Sequence, residues 1–129
     1  MDSQNDVILR VALKKDFFAQ ISELRAIRLI HAQETATSTL IILAYIDEES
    51  IRGEEVSPLI VCNYLLMSAY FGMCDVVFGI PYADDGETAR LSLNMQHIFK
   101  EESYLDSVTD PMAGSYVVTS LTKALMEII

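Results

Sequence analysis

The sequence predicts an α/β fold of four parallel βα units, and three observations carry that prediction. Short β-rich apolar runs recur four times, and each is followed by apolar residues at helical spacing. The second run, TLIILAYI, is apolar almost without interruption, as expected of a parallel strand covered on both faces. The intervening helical patterns run roughly 13 to 18 residues, the length of a crossover, and right-handed crossovers place successive strands side by side with the helices on one side.

Val7–Leu13 (VILRVAL) reads as the first strand, about 7–13, bounded by Asn5-Asp6 and Lys14-Lys15. Asp16 is placed to cap a helix over about 16–33, with Phe17, Phe18, Ile21, Leu24 and Ile27 at helical spacing. Arg25 and Arg28 read as helix-surface charges partnered by Glu23 or by neighbouring elements, with phosphate ligation as the alternative. Thr39–Ile46 is the second strand, about 39–46. The acids Asp47, Glu48 and Glu49 at its end read as a solvated loop rather than a cation site, because three adjacent carboxylates cannot converge on one ion from an extended chain.

A third segment, about 55–71, carries Leu59, Cys62, Leu66, Ala69 and Tyr70 as its repeating face, and Gly72 is placed to end it in the left-handed conformation. Asp75–Ile80 gives the third strand, closed by Pro81, and a helix follows over about 88–101. Leu105–Thr109 reads as a fourth strand, about 105–109. Asp110 precedes a proline and is pushed out of the helical region, Gly114 supplies a turn, and Ser115 can cap a last helix over about 115–129.

Four such units are half of an eight-stranded (β/α)8 TIM barrel, in one domain over residues 1–129. Half a barrel leaves two raw edges and an exposed inner face, so the expectation is self-association or docking to other barrel parts. At 51% hydrophobic residues with a net charge of −10, the chain is rich in apolar surface and poor in cations. Nine Lys and Arg form no basic stripe, which argues against nucleic acid and against an anionic membrane surface. No run is long enough to span a bilayer, and the amino terminus MDSQND has no secretory pattern, so a cytoplasmic setting is expected. Cys62 and Cys74 lie without nearby histidines and read as buried free thiols; no metal site is expected. No Gly-rich phosphate loop, GxSxG run or paired histidines suggest another chemistry.

The segment from Arg90 to Thr122 carries a resemblance. Arg90, Asn94-x-Gln96, Glu101-Glu102-Ser103, Asp110-Pro111-x-Ala113-Gly114-Ser115-Tyr116 and Leu121-Thr122 follow the order and spacing of the closing segment of the methylmalonyl-CoA mutase family. The wording around Phe17-Phe18 and Arg25-Ala26-x-Arg28 is a second match. The resemblance implies the C-terminal half of a substrate-binding barrel, strands five to eight, with the other half and the cobalamin-binding domain absent from this chain. It implies an isomerase family, adenosylcobalamin in the holoenzyme with none bound by this chain alone, and an acyl-CoA substrate threading the barrel.

The family's catalytic subunits carry a glutamine at the end of the sixth strand and an asparagine and glutamate after the seventh. This chain has Leu43-Ala44-Tyr45-Ile46-Asp47 at the first place and Ile80-Pro81-Tyr82-Ala83-Asp84 at the second. Ile46 and Ile80 cannot hydrogen-bond a thioester or a ribose, and only Asp84 keeps an acid that could serve as a cofactor contact. Thr119 stands where the family usually has a glutamate. The Ile80-Pro81-Tyr82 wording resembles the small, non-catalytic subunit of heterodimeric mutases.

Tyr45, Tyr82, Ser115 and Tyr116 are the substrate-contact candidates, with packing at the barrel mouth the alternative for the tyrosines. No catalytic residue is expected. The implied function is a non-catalytic relative of the mutase that serves assembly, with the mutase large subunit or a second copy as partner. The alternative is a free-standing half-barrel that holds an acyl-CoA or a protein.

Overall fold

The structure is a computed structural model that describes residues 5–35, 37–52, 56–79 and 86–128. Three strands, β1 (Val7–Ala12), β2 (Leu40–Tyr45) and β3 (Val76–Phe78), alternate with helices α1 (Phe17–Glu34), α2 (Glu48–Ile51), α3 (Pro58–Phe71), α4 (Gly86–Glu101) and α5 (Tyr116–Ile128). The strands lie in sequential order, all parallel. In register, Ile8 faces Ile41, Arg10 faces Leu43 and Ala12 faces Tyr45, while Leu43 and Tyr45 face Val76 and Phe78.

Helix α1 begins where the sequence places its cap, because the Asp16 carboxylate accepts from the Ala19 amide at 3.1 Å. Its inner positions Leu24 and Ile27 pack on Val11, Leu40 and Ile42. The larger core joins Leu13, Ala44 and Ile46 to Val61, Cys62, Leu65, Leu66 and Ala69 of α3 and to Met95 and Phe99 of α4. Alternate strand residues from Leu9 onward therefore pack into one helix-covered side. Asp47 departs from the expected loop and caps the short helix α2.

The expected fourth strand is not there. Leu105–Thr109 forms turns and bends, so the described sheet has three strands and the described architecture holds three βα units, not four. Tyr104 takes a left-handed conformation (φ 52°), and the Leu105 amide bonds back to the Phe99 carbonyl at 2.9 Å. Leu105 then packs on the core, and Asp106, Ser107 and Thr109 favour turns over a ladder.

The connection instead carries the chain to α1. Asp110 forms an ion pair with Arg25, 85 residues earlier, and α5 packs along α1, burying Val118 and Thr122. The turn at Gly114 is left-handed as the sequence requires (φ 87°), and the Val118 amide lies 3.5 Å from the Ser115 hydroxyl. Gly72 is not left-handed (φ −82°). Met73, one residue on, takes that role with φ 62°.

Candidate functional site

Parallel α/β proteins place their ligands beyond the carboxyl ends of the strands, and here the end of β1 is tied down by local contacts. The Lys14 amide donates to the Gln20 side-chain oxygen at 2.7 Å, and the Lys14 ammonium pairs with Glu23 at 2.9 Å. The Ser50 hydroxyl donates to the Leu13 carbonyl at 3.1 Å. Glu23 is thus taken by Lys14, and the two arginines of α1 find partners in neighbouring elements: Arg25 in Asp110, Arg28 in Asp75 at 2.9 Å and in the Met73 carbonyl at 2.7 Å.

The side of the sheet away from the helices is open among the described residues. It carries Ile8, Arg10 and Ala12 from β1, Ile41, Leu43 and Tyr45 from β2, and Val76 and Phe78 from β3, the alternates of the core positions. Ile8 is 66% exposed and Phe78 60%. Apolar side chains in such a contiguous exposed patch mark an interaction surface. Its single charge is Arg10, whose guanidinium lies 5.4 Å from the centre of the Tyr45 ring.

The candidates named from sequence do not converge. Tyr45 is half-buried on the open face at the carboxyl end of β2. Ser115 and Tyr116 open α5, which lies in the helix layer on the other side of the sheet, and Tyr116 is 90% exposed to solvent. Tyr82, Asp84 and Ile80, together with Pro81, lie outside the described residues. Ile46 is fully buried against α3 on the helix side, so a side chain at that position points away from the open face.

At the opposite, amino-terminal end of β3 is a cleft of about 550 Å³ lined by Arg28, Tyr70, Cys74, Asp75, Lys100 and Asp106 among others. Asp75 is its hub: one carboxylate oxygen accepts from Arg28 and, at 2.8 Å, from the Ile42 amide. Burial pushes the Cys74 thiol up to about 12, with Arg28 pulling it down and Asp75 pushing it up by smaller amounts. The thiol is accordingly protonated and inert. Burial raises Cys62 as well.

Sequence reasoning passed over Arg10, Asp75 and Gln20. The signal for Arg10 was present: it is the one charge inside an otherwise apolar strand.

The described histidines do not suit a cobalt ligand. His31 bonds the Ser38 hydroxyl at 3.0 Å near the amino end of β2, and His97 is exposed on α4; neither stands at the carboxyl ends of the strands. Among the described residues no group of three or more His, Cys, Asp or Glu could hold a metal ion, and no helix is long and apolar enough to cross a membrane.

A parallel βα sheet with one covered and one open side is the class of fold from which α/β barrels are built. Residues 72–129 match the sequence model of methylmalonyl-CoA mutase. The chain is 27% identical over 133 aligned positions to a methylmalonyl-CoA mutase of Rhizobium meliloti, covering 90% of this chain and 18% of that protein. It is 29% identical, with the same coverage, to a methylmalonyl-CoA mutase of Cereibacter sphaeroides. A methylmalonyl-CoA mutase small subunit of Porphyromonas gingivalis is 35% identical over 66 positions, 47% of this chain and 11% of that one. The chain is thus similar to methylmalonyl-CoA mutases over part of its length, and it spans under a fifth of the length of these relatives.

Proposed function

We propose that the chain is a non-catalytic relative of adenosylcobalamin-dependent methylmalonyl-CoA mutase, which interconverts methylmalonyl-CoA and succinyl-CoA, and that it serves assembly. The observation that carries this reading is the open side of the sheet, eight side chains of which only Arg10 is charged. A surface of that kind is suited to being covered by protein. The carboxyl end of β1 supports it too, since Lys14, Gln20, Glu23 and Ser50 there are spent on local bonds.

Adenosylcobalamin would supply the radical chemistry in a holoenzyme, and no described residue here suits holding it. The test is co-purification of the full chain with a mutase large subunit, read by light-scattering mass, alongside an isomerase assay of the chain alone. The expected result is a complex of defined mass and no turnover by the isolated chain. Cobalamin-dependent turnover by the isolated chain, or failure to enter any complex, would sink the reading.

A further inference from the structure

The open face raises the question of which surface covers it. Eight described side chains make up this face, and among them Arg10 is the one that cannot be buried without an anion. Its stacking on Tyr45 offsets part of the cost of desolvation but leaves the charge uncompensated. None of the other seven is acidic. Asp6 precedes β1, four residues from Arg10, which is about 13 Å along an extended chain. Asp47 follows β2, and its carboxylate already caps α2.

A second copy of this chain packed face to face would bring a second Arg10 and, among the described side chains of the face, no carboxylate. Two guanidinium groups would then share one dry interior, while two chains of net charge −10 repel at longer range. A different polypeptide, less acidic overall and carrying one Asp or Glu among apolar residues, removes both penalties at once. Resting on the assembly reading above, we infer that the open face is built for such a heterologous partner, with a carboxylate opposite Arg10, and that Arg10 is the residue that excludes self-pairing.

The experiment uses the full chain, as wild type and as the Arg10→Leu and Arg10→Glu variants, with molecular mass measured by sedimentation across a concentration series. Arg10 is exposed, so both substitutions leave the fold intact, and far-UV circular dichroism checks this. Arg10→Leu is expected to self-associate at least ~10-fold more tightly than wild type. An equimolar mixture of wild type and Arg10→Glu is expected to form a mixed pair more readily than either alone, since one copy then supplies the missing carboxylate.

A wild-type dimer as tight as that of Arg10→Leu would overturn the inference. So would a wild-type dimer dissolved by Asp6→Asn, which would make Asp6 of a second copy the anion. Saturable binding of succinyl-CoA lost in Arg10→Leu would assign the charge to a small ligand instead. If Arg10→Leu stays as monomeric as wild type, Arg10 does not set partner choice and the inference falls, while co-purification with a large subunit still judges the assembly reading separately.

Discussion

Asp110 shows how much one side chain can organise. Its carboxylate takes the Arg25 guanidinium and the Met112 amide at 3.3 Å, so a single oxygen anchors both the last turn and the first helix. Arg25 is only 15% exposed, which separates this pair from the exposed Arg52–Glu48 pair within one helix turn. Arg25→Ala should destabilise the chain by about 2 kcal/mol, the worth of a hydrogen bond to a charged group. Arg52→Ala should cost no more than about 0.5 kcal/mol. Urea denaturation of the two variants checks the contrast; equal losses would show that burial does not distinguish them.

Cys74 makes a second prediction at this scale. Its folded thiol holds its proton up to about 12 against an ordinary 9.0, so the folded state binds more protons than the unfolded one between those values. Stability is complete below pH 9 and falls as pH rises toward 12. Cys62 and Tyr70, also raised, act in the same direction. Urea midpoints measured across this range should fall less steeply for Cys74→Ala than for wild type, and identical slopes would remove Cys74 from the account.

Among the elements, the residue after β3, Gly79, meets α4 at a close contact. A Cβ on Gly79 would lie 2.2 Å from the Ser92 hydroxyl oxygen, which is buried and has no hydrogen-bond partner. Gly79→Ala should cost roughly 1–3 kcal/mol through overpacking. Ser92→Ala should be near neutral, since it removes an unsatisfied buried hydroxyl, and the double variant should recover most of the loss. Thermal melting of the four proteins tests this, and strict additivity would contradict it.

The elements also show where sequence reasoning reached and where it stopped. Periodicity and caps made β1, α1, β2 and α3 legible, because Asp16 and the apolar run TLIILAYI act locally, although the sequence reading covered β2 on both faces and the structure buries only alternate residues. Leu105–Thr109 misled because Leu, Val and Thr suit strands by composition. The outcome there was decided by Leu105 reaching the core and by a left-handed Tyr104, neither of which a local pattern reveals.

For the molecule as a whole, the sequence predicted parallel strands with helices on one side, and the parallel register of β1, β2 and β3 follows that plan. The exposed inner face was legible as well, since half a barrel leaves its inner side uncovered. The path of α5 was not. A helix following a fourth strand belongs beside α4, yet α5 lies on α1, because the contact that steers it joins residues far apart in sequence. The significance of Arg10 was hidden for a related reason: a charge on an open face acquires a role only when something faces it.

The clasp between the first and last helices has a temporal consequence. While the polypeptide is being synthesised, α1 emerges early with the flank that α5 will cover still bare, and it stays bare until residues 116–128 are free of the ribosome. Completion of this domain therefore waits for the synthesis of α5. Through that interval the newborn chain presents the uncovered flank of α1 to whatever chaperone or partner is nearby.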